Sequence, residues 1–191
     1  MKIGLYFGSF NPIHTGHCII ANHVLANTQL EQVWFIVSPQ NPLKSSAGLL
    51  NEYHRLHLVQ LAVEAENGLR VNDIEFRLPK PSYTVDTLSY LQEKYPHHSF
   101  SVIMGSDSFK NLPKWKNYFH IIQHYPIYVY VRTGHEEISF YPNADITTLK
   151  APLLGISSTL IRKNVKEGKS IRYLVPDKVL EEITRNGYYR N

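Results

Sequence analysis

Short apolar runs alternate with longer mixed segments along the whole chain. Ile3–Phe7 is the first such run and predicts a strand. His14–Thr28 follows, with apolar positions at Ile19, Ile20, Val24 and Ala26, and predicts a helix. Gln32–Ser38 is β-rich. Glu52–Glu66 carries Leu56, Val59, Leu61, Ala62 and Ala65 without Gly or Pro, the pattern of a helix. Leu69–Arg77 predicts a strand, Val85–Lys94 a helix capped by Thr84, Phe100–Met104 a strand and Pro113–His124 a helix. Ile127–Arg132 and Asp145–Lys150 predict strands, and Ser158–Lys166 and Pro176–Asn186 helices.

Strands that alternate with helical patterns imply βαβ units. The expected fold is α/β: a Rossmann-like, doubly wound, mostly parallel sheet with helices on both faces. No repeat or linker divides the 191 residues, so one domain is expected over 1–191, with a C-terminal helical part from about 157. In such sheets ligands sit beyond the carboxyl ends of the strands. Pro39–Gly48 and Thr133–Ala144 are the loopiest stretches and are candidates to face a ligand.

Composition narrows the setting. Cys18 is the single cysteine, which excludes a disulfide scaffold and fits a reducing compartment. No apolar run approaches the roughly 20 residues that span a bilayer. Met1-Lys2-Ile3-Gly4 leads straight into a strand, so no signal peptide is read. A soluble cytoplasmic protein without a membrane partner is expected. Net charge is +4, and the basic residues are scattered rather than clustered. That pattern does not call for a nucleic acid and suits a small polyanionic ligand. The oligomeric state is not readable, and a homo-oligomer stays open.

The first strand runs into Gly8-Ser9-Phe10-Asn11-Pro12-Ile13-His14-Thr15-Gly16-His17. Gly8 lets a ligand approach the backbone closely. Asn11-Pro12 is a turn signal. His14 and His17 are three apart at a helix start, where free N–H groups and the helix dipole favour an anion. Two imidazoles there suit a triphosphate. The string resembles the G-x-F-D-P-x-H-x-G-H signature of the nucleotidylyltransferase superfamily. The resemblance implies that Gly8, Ser9, Phe10, His14 and His17 hold ATP, with the histidines on its phosphates. Asn11 stands where Asp is most frequent, and Phe7 where many members have Gly.

Gly155-Ile156-Ser157-Ser158-Thr159-Leu160-Ile161-Arg162 lies near the other end. Ser157 or Ser158 can cap a helix, and Arg162, one turn inside, can fork onto phosphate oxygens. Alone, the segment reads as a capped surface helix. It also resembles the superfamily's second signature, I-S-S-T-x-I-R. That likeness implies that Ile156, Ser157, Ser158, Thr159 and Arg162 close on the β- and γ-phosphates.

The middle of the chain addresses the second substrate. Met104-Gly105-Ser106-Asp107 follows a strand; Gly105 permits close approach and Asp107 can accept from ribose hydroxyls. Pro81-Ser82-Tyr83-Thr84-Val85-Asp86-Thr87-Leu88 resembles the S-Y-T-x-D-T-L segment of bacterial nicotinate-nucleotide adenylyltransferases. This likeness, which spans roughly residues 3–186, implies an acceptor site at Asn11, Lys44, Tyr83, Thr84 and Trp115, with the indole stacking on a pyridine. Arg55 is a weaker candidate there. It implies transfer of AMP from ATP to nicotinate mononucleotide in NAD biosynthesis, with small-molecule partners only. Mg²⁺ is implied as the companion of ATP, held by phosphates and water and not by a protein cage. His14, His17 and Arg162 are the expected catalytic residues. The alternatives are a pantetheine-phosphate adenylyltransferase and a non-catalytic nucleotide-binding protein of the same fold.

Overall fold

Parallel strands covered on both faces read as near-continuous apolar runs, and the inner strands of this chain do so over most of their length. Consecutive residues Ile3, Gly4, Leu5 and Tyr6 are all buried, as are Val33 through Val37. The computed structural model describes residues 1–40, 42, 48–131, 139, 141–150, 152 and 155–190. Within them lie six parallel strands: β1 (Lys2–Gly8), β2 (Gln32–Val37), β3 (Leu69–Asn72), β4 (Ser99–Gly105), β5 (Ile127–Tyr130) and β6 (Ile146–Leu149). Their order in the sheet is β3-β2-β1-β4-β5-β6. The chain walks outward from β1 to β3, returns beside β1 as β4, and walks outward the other way. The order therefore reverses between β1 and β4, where a crevice is expected at the carboxyl edge.

Among the described residues seven helices flank the strands: α1 (Thr15–Asn27), α2 (Glu52–Val63), α3 (Thr84–Lys94), α4 (Ser106–Lys110), α5 (Tyr118–His124), α6 (Ser158–Lys166) and α7 (Asp177–Asn186). Successive strand residues point to opposite faces, and the core divides accordingly. Tyr6, Val33 and Phe35 pack with Val24 of α1, Val59 of α2, Ile161 of α6 and Val179 of α7. Leu5, Trp34 and Ile36 pack with Leu88 of α3, Phe109 of α4 and Ile122 of α5. The expected doubly wound α/β fold is present. Among the described residues no helix is long and apolar enough to cross a membrane.

Three elements differ from the sequence pattern. The strand expected over Leu69–Arg77 stops at Asn72, because the Asn72 side chain accepts from the Ile74 N–H at 2.9 Å and turns the chain into a 3-10 helix, Ile74–Arg77. The helix expected over Pro113–His124 is split by Asn117, whose φ of 48° cannot continue a right-handed helix; a 3-10 turn, Leu112–Lys114, precedes it. Thr84 is not the cap of α3 but its first residue, with Tyr83 at the cap position. The loop stretches Pro39–Gly48 and Thr133–Ala144 fall partly, and Lys44 wholly, outside the described residues.

Candidate active site

β1 and β4 lie side by side in parallel, so Gly8 and Gly105 reach the same carboxyl edge. A cavity of about 540 Å³ opens there. Of the residues singled out in the sequence, Gly8, Ser9, Tyr83, Thr84, Gly105, Asp107 and Trp115 line it.

The turn after β1 is built on packing. Phe10 is buried with φ 45°, a backbone region that non-glycine residues enter at a cost. Its ring is held edge-on against Tyr6 and His17, at centroid distances of 5.8 and 5.1 Å. A Cβ at Gly8 would meet this ring at 2.8 Å. Gly8 thus makes room for the Phe10 ring while lining the cavity, and Phe10, with its ring packed inward, offers a site its backbone. Asn11 is also occupied: its amide donates to Gly48 O at 3.0 Å and accepts from Leu50 N–H at 3.1 Å.

His14 and His17 come together. Their rings stack at 3.7 Å and 27°, and His17 Nδ1 accepts the His14 N–H at 3.3 Å. A Cβ at Gly16 would lie 3.1 Å from the His14 ring, so glycine there permits the stack. The α1 terminus has fewer open N–H groups than its sequence suggests, because Thr15 N–H donates to Leu174 O at 3.0 Å.

The second motif folds onto the first. Ser157 caps α6, accepting from Leu160 N–H at 3.1 Å. Ser158 Oγ donates to Pro12 O at 2.8 Å across 146 positions of sequence. Arg162 Nη1 donates to Asn11 O at 2.7 Å across 151 positions, and Nη2 reaches Thr159 Oγ1 at 3.4 Å. His14, His17 and the 156–162 segment do not line the 540 Å³ cavity. They border the Asn11-Pro12 turn that continues from Ser9 at its edge.

The β4 side carries the polar wall. A Cβ at Gly105 would meet Asp107 Oδ1 at 2.5 Å and the Tyr130 side chain at 3.1 Å, so this glycine admits both groups. Tyr130 and Tyr6 bring their hydroxyls within 3.2 Å of each other in the lining. Trp115 is half-buried, and its neighbour Lys116 binds both oxygens of Asp86 at 3.0 and 2.8 Å while lying 4.9 Å over the Tyr83 ring.

Two charged residues beneath the site carry more than their sequence signal suggested. Arg55 is fully buried and donates to four carbonyls: Leu50 at 2.8, Ser9 at 2.5, Ser38 at 2.8 and Pro39 at 3.0 Å. Burial lowers its pKa, while Tyr189 and Glu52 oppose the shift. Arg55 therefore clamps the ends of β1 and β2 and has no exposed surface to offer a substrate. Glu75 is buried in the cavity wall, where Ser82 Oγ and Thr87 Oγ1 donate to it at 2.6 and 2.9 Å. Desolvation raises its pKa, and the hydroxyls of Ser82, Ser38 and Thr87 pull it back. The available signal was a lone carboxylate inside the apolar run Ile74-Glu75-Phe76.

Residues 5–164 match the cytidylyltransferase-like family. A probable nicotinate-nucleotide adenylyltransferase of Flavobacterium psychrophilum is 52% identical over 192 residues, covering all of both chains. The chain belongs to the cytidylyltransferase-like family, among the nicotinate-nucleotide adenylyltransferases. A Cytophaga hutchinsonii relative with the same name is 50% identical over 191 residues, again covering both chains entirely. In fold, this family member resembles the Plasmodium falciparum nicotinic acid mononucleotide adenylyltransferase complexed with NaAD, with a TM-score of 0.81 at 20% identity, covering 98% of this chain and 97% of that one. It also resembles a nicotinate-nucleotide adenylyltransferase structure from Vibrio parahaemolyticus, with a TM-score of 0.73 at 21% identity, covering 100% and 96%.

Proposed function

We propose that this chain transfers the adenylyl group of ATP to nicotinate mononucleotide, forming nicotinate adenine dinucleotide and pyrophosphate. The observation that carries the reading is the junction of the two motifs. Ser158 and Arg162 bond to the Pro12 and Asn11 carbonyls, in the turn that leads to His14 and His17. Relatives 50% and 52% identical over the whole chain bear the corresponding name.

The chemistry asks little of a base. A phosphate oxygen of the mononucleotide, already ionised at pH 7, attacks the α-phosphorus of ATP. The new P–O bond forms as the bond to the β-phosphate oxygen breaks, and pyrophosphate leaves with the electron pair. The protein has to hold the groups in line and offset the spreading negative charge. His14, His17 and Arg162 are assigned to the phosphates as the catalytic residues, together with Ile156, Ser157, Ser158 and Thr159 at the start of α6. Gly8, Ser9 and Phe10 contribute backbone, and Gly105 and Asp107 face the ribose. Tyr83, Thr84 and Trp115 receive the pyridine ring, with Lys44 and the Asn11 turn beside the mononucleotide phosphate.

Among the described residues no three His, Cys, Asp or Glu side chains cluster to hold a metal. Mg²⁺ is read as accompanying ATP, held by its phosphates and by water.

The test is pyrophosphate release with ATP and Mg²⁺ and, in turn, nicotinate mononucleotide, nicotinamide mononucleotide and phosphopantetheine. Turnover is expected to be fastest with the first. No turnover with either mononucleotide refutes the reading, and turnover with phosphopantetheine alone replaces it.

A further inference from the structure

A carboxylate with its acceptor sites turned inward, in the wall of a substrate cavity, has a job to do there or is a liability. Glu75 sits in the 3-10 helix after β3 and is 1% exposed. Its two oxygens are shared out with little redundancy: Oε2 takes the Ser82 hydroxyl and Oε1 the Thr87 hydroxyl. Ser38, just past β2, helps hold its pKa down from the other side. Among the described residues no ion pair involves it.

Ser38 and Ser82 bracket the cavity from different elements, and both line it. Ser38 is itself fixed from two further sides, since its N–H donates to Gly8 O at 2.9 Å and its carbonyl accepts from Arg55 at 2.8 Å. Ser82 and Thr87 lie on either side of Tyr83 and Thr84, where α3 begins. That helix end has no side-chain cap. Its first N–H groups lack intrahelical partners, so the lie of the backbone at residues 83 and 84 decides what they can bind.

We infer that Glu75 is a positioning residue for the acceptor: through Ser82 and Thr87 it ties the start of α3 to the 3-10 helix after β3 and so fixes the Tyr83–Thr84 wall that receives the acidic pyridine ring. The inference rests on the adenylyl-transfer reading above for the identity of the ring.

The full-length protein with Glu75→Ala and Glu75→Gln provides the test. Steady-state kinetics give kcat and the KM of each substrate. Amide hydrogen exchange over residues 82–88, without substrate, reports the order of the segment independently of turnover. Loss of both hydroxyl partners in Glu75→Ala is expected to raise the KM for nicotinate mononucleotide by roughly tenfold while the KM for ATP changes less than about twofold. The same variant should exchange faster over 82–88 and no faster over 158–166. Glu75→Gln, which keeps the shape and one acceptor oxygen, should restore most of both readouts.

Equal rises in the two KM values, or unchanged exchange over 82–88 in Glu75→Ala, overturn the inference. If the unaltered protein turns over no mononucleotide, the functional reading fails, and the exchange experiment still decides whether Glu75 orders the segment. If Glu75→Ala does not fold, the isosteric Thr87→Val removes one donor. It should shift the same two readouts in the same directions by a smaller factor, and no shift counts against the inference.

Discussion

A guanidinium that already donates to the Asn11 carbonyl at 2.7 Å is fixed in place before a nucleotide arrives. Arg162 can do this and still present further N–H groups, because its fork carries five donors in one plane. Lysine has a single cationic centre. We therefore expect Arg162→Ala to lower kcat by about 10²–10³, the loss typical of a transition-state charge stabiliser, and Arg162→Lys to recover only part of it. Full kcat in either variant removes Arg162 from the reaction. Cys18 offers a contrasting test at the same scale. Burial pushes its thiol up to about 11, so at pH 8 about one molecule in a thousand is thiolate, against about a quarter of an unperturbed cysteine. Alkylation of the native protein at pH 8 should be at least about a hundredfold slower than of the unfolded chain. Comparable rates would show the thiol to be open. The motif residues were legible one by one, but their reasons were not. Gly8 suggested a ligand's approach, and the space is filled by Phe10 at 2.8 Å. Asn11 suggested a substrate contact, and its amide is spent on Gly48 and Leu50. Sequence shows that a side chain is small or polar; only folding shows which neighbour uses that property.

The second motif makes the same point for an element. Its sequence left Ser157 and Ser158 as equal candidates to cap α6. The two are divided: Ser157 accepts from Leu160 N–H, while Ser158 donates to Pro12 O. The first bond is local and the second joins distant parts of the chain, so their loss should read differently. Ser157→Ala should cost about 1 kcal/mol of stability, the usual worth of a helix cap. Ser158→Ala should cost no more in stability, yet it loosens the junction between the motifs and should raise the KM for ATP. Chemical denaturation with kinetics on both variants checks the split, and identical profiles would mean that the junction does not matter to the nucleotide. Helix α6 was legible to its residue bounds because a cap precedes a clean helical pattern there. The strand over Leu69–Arg77 was misjudged because the apolar positions Ile74 and Phe76 continue the alternation through a turn. The Asn72 side chain, not the pattern, stops that strand.

At the scale of the molecule, alternating segments announced a parallel sheet, but the strand order came only from the structure. Reversal between β1 and β4 brings Gly8 and Gly105 to one edge, and hydrogen bonds over 146 and 151 positions bring the C-terminal motif to the same place. The C-terminal part is thus no appendage. Ile161, Ile171, Val175, Val179 and Ile183 are buried in the same cluster as Tyr6, Val24 and Phe35, and Thr15 N–H at the start of α1 is satisfied by Leu174 O. Removing residues 156–191 would expose that face of the sheet and leave the turn at Asn11 and Pro12 without two of its donors. Burial of each such apolar side chain is worth on the order of 1.5–3 kcal/mol, so losing the burial of these five rivals the whole stability of a domain, about 5–15 kcal/mol. A chain ending at Gly155 is therefore expected to lose its cooperative thermal transition, whereas the full chain should melt in a single one. Calorimetry and near-ultraviolet circular dichroism on the two forms decide the matter. A truncated chain that still melts cooperatively would make the C-terminal helices a separate unit, and the route by which Arg162 reaches the first motif would then have to be sought in docking between domains and not in one shared core.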